Sequence, residues 1–488
     1  MGYRMKTTMI LLPLVLAACS APQVPTRFSA RDAGFDTVQA RTSKAIGKRT
    51  VWAQSQAETV NLSKQVRAMV QGKTISAETA VQAALLNNKG LQASYAAIGL
   101  SAAEAWQQST PENPVVSIGL MGIGAPEVGL YRAIESAIAV NLLDARTRKE
   151  RVALAEAAFQ QAQMSAVNDT LSLANETREA WINAVGAFET LSYLKKAAAT
   201  ADASAELAQQ LGKTGALNKA GQAREQAFNA EMAGQVARAR LDAQLAKEQL
   251  TRLMGLWGAD VNYYVPDALP SLPNGIRSTG NVEQLALANR VDLEVARLGL
   301  AATARAFGLS DATRTLTDLE VIAGVELEKE VEDGDKEIVA TPQVEFEFAI
   351  PIFDSGKARL RSAELSYLQA ANVLAERAVN VRSQARAAAA SYRSSHQIAQ
   401  HYRQVVLPLR RTIEEEALLS NNGMITSTFD LLNDTREKLS SELEAANAKR
   451  DFWLASAGLS AAIYGGGSGA GGGGEAVAIA AGGGGAGH

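Results

Sequence analysis

Two segments in the second half of the chain alternate between apolar and acidic positions. Residues 344–350 carry Val, Phe, Phe and Ile at alternate positions, with two glutamates among the residues between them. Residues 320–328 carry apolar side chains at the odd positions and three glutamates and a glycine at even ones. Successive side chains of a strand point to opposite faces, so each segment predicts a strand with one apolar and one acidic face. This pattern is typical of a transmembrane β-barrel strand and equally of any half-buried strand.

Four strands are predicted in all, near Val115–Met121, Ile134–Leu143, Leu319–Lys329 and Val344–Ile350. Four strands cannot close a membrane barrel, because the smallest such barrels have about eight and lipid does not tolerate an open sheet edge. If these strands lie in a membrane, an oligomer must supply the others. The connections Gly122–Ala133 and Glu330–Thr341 are then predicted as loops at the outer surface.

Long stretches without proline predict long helices. Proline breaks helix interiors, and none occurs between Pro126 and Pro266. The first half therefore predicts a helix over Ala145–Leu211, about 100 Å long if it is unbroken. A turn at Gly212–Gly215 and a returning helix over Ala216–Met254 follow it.

The helices of the second half follow the same plan. A helix over Val282–Asp311 corresponds to one predicted from about Ser76 to Ser109 in the first half. After the second strand pair, a helix is predicted from Lys357 toward Ser420, with an interruption at Pro408. A turn at Asn421, Asn422 and Gly423 follows, and then a last helix that ends near Tyr464. Apolar residues recur every seven positions in that last helix, which fits a coiled-coil seam and a simple antiparallel bundle equally well.

Four pairs of similar segments indicate an internal duplication. Each later segment follows its counterpart by 201 to 210 residues, and the order is the same in both halves. The pairs are 83–103 with 284–302, IAVNLLD at 138–144 with FAIPIFD at 348–354, LGKTGAL at 211–217 with LSNNGMI at 419–425, and MGL at 254–256 with AGL at 457–459. The chain is therefore predicted to contain two copies of one unit of about 200 residues.

Charge and side-chain chemistry exclude several functions. The formal net charge is −3, with 48 basic and 51 acidic residues, which argues against a nucleic-acid partner. His396 and His401 do not share a helical face and are predicted to face solvent. The sequence contains neither a metal-ligand cluster nor a nucleophile motif. We expect no enzyme activity, no metal and no cofactor.

The N-terminus has the parts of an export signal. Arg4 and Lys6 precede an apolar stretch and the run Leu16-Ala17-Ala18-Cys19, which contains the chain's single cysteine. This resembles the lipobox of bacterial lipoproteins and predicts lipidation at Cys19 after removal of residues 1–18. The alternatives are a cleaved signal with an unrelated cysteine, or a short buried apolar segment.

The chain resembles the outer-membrane efflux protein family, the TolC-like outer-membrane factors, in its lipoprotein branch. The resemblance covers residues 60–464 and is carried by the two tandem units, by the NNKGL and NRVDL helix starts, by IPIFDSG at 350–356, by the two tip turns and by AGL at 457–459. It implies a mainly α fold with a small β part. In that fold, tandem helical hairpins form a trimeric α-helical tunnel, and four strands per chain contribute to a twelve-stranded outer-membrane barrel.

The resemblance also implies a function and partners. Members are exit ducts of tripartite efflux pumps or type I secretion systems. This predicts a lipid-anchored homotrimer in the outer membrane of a Gram-negative bacterium, with a tunnel in the periplasm. Its partners would be a periplasmic adaptor, an inner-membrane transporter and outer-membrane lipid. The alternative is a periplasmic coiled-coil lipoprotein that conducts nothing. Drugs, metal ions and polypeptides all remain open as cargo.

The family pattern assigns two groups of site residues. Acidic residues shortly after the second tip glycine line the closed tunnel mouth, and here Asp430 and Asn433 follow Gly423 at a similar distance. An ordinary exposed aspartate is the alternative interpretation of Asp430. The residues predicted to contact the adaptor are those of the two tips, Gly212, Lys213, Thr214, Gly215, Asn421, Asn422 and Gly423.

These inferences divide the chain into five parts. They are a signal peptide over 1–18, an N-terminal linker and equatorial segment over 19–75, a first repeat over 76–273, a second repeat over 274–464 and a Gly-rich flexible tail over 465–488.

Overall fold

The computed structural model describes residues 26–124, 131–314, 318–332, 335–422 and 428–467. Cys19 and most of the Gly-rich tail lie outside these residues. The helices are α1 Thr26–Ser29, α2 Phe35–Ile46, α3 Gln56–Val70, α4 Ala77–Asn87, α5 Lys89–Ser109, α6 Leu142–Lys213, α7 Lys219–Leu253, α8 Val282–Asn289, α9 Val291–Ala312, α10 Lys357–His401, α11 Leu407–Asn422 and α12 Thr428–Tyr464. The strands are β1 Val115–Met121, β2 Ala133–Asn141, β3 Leu319–Glu332 and β4 Asp335–Phe348.

One order of elements occurs twice along the chain. A short helix is followed by a longer one, two strands, a long helix and a returning helix, first as α4 to α7 and then as α8 to α12. The longest helix, α6, has 72 residues and passes through Gly186 without a break. Alanine is the best helix former, and the many alanines of α6 favour a helix of this length.

The helix predicted from Ser76 to Ser109 is in fact two helices, and so is the one predicted over Val282–Asp311. The breaks fall at Asn88, with ψ of 123°, and at Arg290, with ψ of 120°. The Asn88 side chain accepts a hydrogen bond from the Leu91 N–H at 3.0 Å, which caps the second helix of the first pair. The Arg290 guanidinium instead binds the Asp292 carboxylate at 2.7 and 2.9 Å.

The four strands form one antiparallel sheet in the order β1-β2-β3-β4. β3 and β4 pair without a gap as far as Glu332 opposite Asp335, which leaves Asp333 and Gly334 between them. The loop predicted at Glu330–Thr341 is therefore wrong, because most of it belongs to the two strands.

The interruption near Pro408 takes the form of a π turn. Residues Tyr402–Val406 form this turn, and the Leu407 N–H donates to the Tyr402 carbonyl. Pro408 is then the second residue of α11. Proline lacks an N–H and its ring clashes with the carbonyl four residues earlier, so the wider turn before it accommodates the ring.

The chain divides into two compact units. The first unit contains the sheet and consists of the described residues in 26–34, 97–163 and 296–374. The second consists of those in 35–96, 164–295 and 375–467. The core of the second unit packs alanines of α10 against aromatic residues, with Phe452 of α12 stacked on Tyr392 at 5.5 Å between ring centroids. Across the described residues, no helix is both long enough and apolar enough to span a bilayer.

Candidate functional site

The two faces of the sheet differ in chemistry. The register places Val321 of β3 between Val140 of β2 and Phe346 of β4, and places Ala323 between Ile138 and Val344. This face is apolar and uncovered, with Phe346 63% and Val344 66% exposed. An exposed apolar face of this extent marks a surface that is covered by lipid or by another protein.

The opposite face of the sheet carries carboxylates. Glu320 lies directly opposite Glu347, and Glu326 lies directly opposite Glu135 of β2. Like charges across a strand pair are destabilising, so they require water or cations around them. Gln343 relieves part of this repulsion, because its Nε2 donates to Glu135 Oε1 at 3.0 Å. One face of the sheet therefore suits an apolar medium and the other suits water.

The outer edges of the sheet are open. Within the described residues β1 pairs only with β2, and β4 pairs only with β3. An open edge presents a row of unpaired N–H and C=O groups, which proteins normally cover or pair. The sheet of one chain is thus incomplete as a membrane structure.

The first predicted tip lies at the turn between α6 and α7. α6 continues to Lys213, so Gly212 is helical, and Gly215 makes the turn with φ of 75°. Lys213, Thr214 and Gly215 are exposed. The returning helix begins at Lys219 rather than at Ala216, because Asn218 caps it by accepting from the Gly221 N–H at 2.8 Å.

The second predicted tip is only partly described. Asn421 and Asn422 are the last residues of α11 rather than part of a turn, and Gly423 lies outside the described residues. Asp430 is the third residue of α12, and its side chain is not among those that the structure describes. Asn433 is exposed, and its Nδ2 donates to Glu437 Oε1 at 3.5 Å. The roles proposed for these residues stay predictions.

Near this end of α12, the structure adds an ion pair that sequence reasoning missed. Arg436 donates from one terminal nitrogen to both oxygens of Glu225 at 3.0 Å, although the two residues are 211 positions apart. Glu225 is buried, and the Arg436 guanidinium lies 3.8 Å from the centroid of the Phe228 ring. No local pattern marks such a pair, because its members come from the two different repeats.

One histidine prediction is wrong. His396 was expected to face solvent, but it is 5% exposed. Its Nε2 lies 3.1 Å from the Pro273 carbonyl oxygen, and its ring meets Phe452 edge-on at 5.2 Å. The segment that joins the two repeats covers this face of α10, which the spacing of the two histidines could not reveal. Among the described residues, no group of three or more His, Cys, Asp or Glu side chains could hold a metal ion.

The fold of this chain is similar to that of several outer-membrane proteins of known structure. The outer-membrane channel OprN superposes with a TM-score of 0.64 at 17% identity, covering 96% of this chain and 98% of that chain. The CmeC outer membrane channel of Campylobacter jejuni gives 0.61 at 19% identity, covering 83% and 86%. VceC, an outer membrane protein of Vibrio cholerae, gives 0.64 at 16% identity, covering 80% and 96%.

These likenesses confirm the predicted fold of the single chain, that of the TolC-like outer-membrane factors, mainly helical with a small sheet. No family model matches the sequence, and a comparison with curated proteins returns no match.

Proposed function

We propose that the protein is an outer-membrane exit duct that passively conducts substrate out of the periplasm. The observation that carries the proposal is the four-stranded sheet, with one exposed apolar face, one acidic face and two open edges. Three copies joined edge to edge would give twelve strands and no free edge, with the apolar faces toward lipid. The structural likeness to outer-membrane channels supports the same conclusion.

A passive duct requires two partner proteins, a transporter and an adaptor. The described residues contain no cluster of metal ligands, and no catalytic motif was found in the sequence, so an inner-membrane transporter would supply the energy. A periplasmic adaptor would join transporter and duct by contacting the tips. The exposed residues Lys213, Thr214 and Gly215 of the first tip are accessible for such contact.

The mouth of the duct is proposed at the start of α12. Asp430 lies in the first turn of this helix, and three copies around a symmetry axis would form a ring of carboxylates. Such a ring at a constriction favours cations and opposes anions. Asn433, one helical turn further on, would contribute amide dipoles to the same passage.

The alternative, a periplasmic scaffold that conducts nothing, accounts for the long helices but not for the sheet. A protein surrounded by water gains nothing from an uncovered apolar sheet face and risks aggregation through it. The duct is therefore the better supported of the two.

Two measurements on the full chain purified in detergent test the duct. Its mass should be that of a trimer, and the protein should give discrete currents in a planar bilayer. Val344→Asp/Phe346→Asp, which places charges on the apolar face, should abolish bilayer insertion. The control Glu345→Gln/Glu347→Gln alters the opposite face and should still insert. A stable monomer without currents would contradict the duct and favour the scaffold.

A further inference from the structure

A cavity of about 280 Å³ lies in the second unit beside the π turn. Its walls come from α6, α12, the α10–α11 junction and the segment that precedes α8. Alanines 399, 445 and 446 line it where larger side chains would fill the space. Its volume is close to the lower end of the range for small-molecule sites, about 300–1,000 Å³.

The cavity is lined by more basic than acidic side chains. Four basic residues face two acidic ones, Glu189 and Glu442. Lys449 is already paired, since its Nζ lies 2.5 Å from Glu189 Oε1. Lys438 is paired as well, with Glu414. This leaves two arginines to be accounted for.

Neither arginine is neutralised by a contact. Arg403 makes one weak hydrogen bond, from Nη1 to the Leu272 carbonyl oxygen at 3.5 Å. Arg411 makes neither an ion pair nor a hydrogen bond with any residue in the described parts of the chain. Glu442, the remaining acid of the lining, likewise has no ion-pair partner among the described residues. Two exposed guanidinium groups therefore line the cavity together with one unpaired carboxylate, that of Glu442.

The two arginines come from different elements, so each can meet one of two anionic groups. Arg403 lies in the π turn and Arg411 in α11, and both line the cavity. The hydroxyls of Ser271 and Tyr193 also line it and can donate hydrogen bonds. Burial, with Glu189 and Glu442 nearby, raises the pKa of Tyr193, so its hydroxyl keeps its proton at physiological pH. Donors thus outnumber acceptors around this space.

We propose that this cavity binds a small organic anion with two acidic groups, carboxylate or phosphate, held by Arg403 and Arg411. Guanidinium groups bind both kinds of anion with strong, charge-assisted hydrogen bonds. The bound anion links the π turn to α11, because Arg403 belongs to the turn and Arg411 belongs to α11. Occupancy therefore fixes the α10–α11 junction. The inference goes beyond the proposed duct and does not depend on conduction.

Calorimetric titration of the full chain in detergent tests this site. Succinate, which carries two carboxylates, and 3-phosphoglycerate, which carries one carboxylate and one phosphate, are the probes, with acetate at matched ionic strength as the blank. Saturable binding of either probe supports the site, and the tighter one identifies the preferred head group. Arg403→Gln/Arg411→Gln should weaken binding at least about tenfold, since each charge-assisted bond contributes to affinity.

Two further variants keep the test decisive. Arg393→Gln removes the same charge from an exposed position of α10 outside the cavity and should bind as the wild type does. Glu442→Gln removes the carboxylate that opposes an anion and should bind more tightly. Absence of saturable binding to the wild type overturns the proposal, and so does equal affinity in the wild type and the double arginine variant.

Discussion

Glu225 is a buried carboxylate that depends on one partner. Only 3% of its side chain is exposed, and Arg436 satisfies both of its oxygens. Arg436 Nε, by contrast, is buried without a partner among the described residues. Breaking such a pair by removing one member is costly, because the remaining charge stays buried.

We expect Glu225→Gln to destabilise the protein by about 2 kcal/mol, below the range for fully buried pairs because the Arg436 side chain is 27% exposed. A urea titration followed by circular dichroism measures this change. Glu364→Gln removes one member of an exposed pair with Arg361 and should change stability by less than about 1 kcal/mol. Equal changes in stability for the two variants would show that burial of Glu225 does not increase the contribution of its ion pair.

At the proposed mouth, the prediction concerns Asp430. Three carboxylates close together repel each other unless cations screen them, so a narrow ring should hold a divalent cation. We expect added divalent cations to reduce single-channel current in the wild type and Asp430→Ala to lose much of this block. The same divalent sensitivity in both proteins would make Asp430 an ordinary surface residue.

Ionisation of the Tyr263 phenol should make the free energy of unfolding depend on pH in the alkaline range. Burial raises the pKa of Tyr263 from 10.0 to about 12, and its hydroxyl bonds Thr251 Oγ1 at 2.9 Å. Because the folded-state pKa lies above the unfolded one, this stabilisation is complete below pH 10 and is lost as the pH rises toward 12. The full loss of stability should be about 3 kcal/mol for this rise in pKa.

Tyr263→Phe should therefore lose less stability over this pH interval than the wild type does. Tyr264→Phe is the matched control, because Tyr264 is the next residue and is exposed. Urea midpoints at a series of pH values provide the comparison. Parallel pH profiles for wild type and Tyr263→Phe would show that the phenol does not titrate in this interval.

At the scale of elements, the side chain of Asn88, at the break between α4 and α5, connects the start of the first repeat to the end of α7. Besides capping α5, Asn88 donates from Nδ2 to the Leu253 carbonyl oxygen at 2.9 Å, at the end of α7. Gly255 approaches the same corner, with φ of 65° and the Asn87 carbonyl oxygen 2.9 Å from where a Cβ would be. A left-handed backbone and this close contact together require glycine there.

Asn88→Ala should cost about 1–2 kcal/mol, since it removes a helix cap and leaves the Leu253 carbonyl without this bond. Asn281→Ala is the control, because Asn281 precedes α8 but makes no capping bond through its side chain. Its effect should be only a few tenths of a kcal/mol. Urea titration of both variants distinguishes a local cap from a general effect of losing an asparagine.

The extents of β1 and α6 could be predicted from the sequence, whereas the breaks within helices could not. β1 was predicted with its observed bounds, and α6 was predicted to within three residues at each end, because alternation and freedom from proline persist over many positions. The breaks at Asn88 and Arg290 were missed, since each depends on a bond that only the folded chain brings together. His396 was missed for the same reason.

For the whole molecule, the remaining prediction is attachment to lipid through Cys19. The motif at Leu16–Cys19 predicts incorporation of labelled palmitate in cells, and Cys19→Ser should abolish it. Ser20→Ala leaves the thiol in place and should still be labelled. Labelling that persists in Cys19→Ser would place the lipid elsewhere or exclude the lipoprotein interpretation.

The open sheet edges also set an order of events during biogenesis. Helical hairpins rest on local contacts and form quickly, whereas strands that pair between chains must wait for an encounter. For the proposed trimer, a newly made chain therefore passes through a period in which β1 and β4 are unpaired and can join the wrong neighbour. The yield of correct assembly is then a competition between trimer formation and aggregation. Any factor that shields these edges would shift this competition toward the proposed trimer.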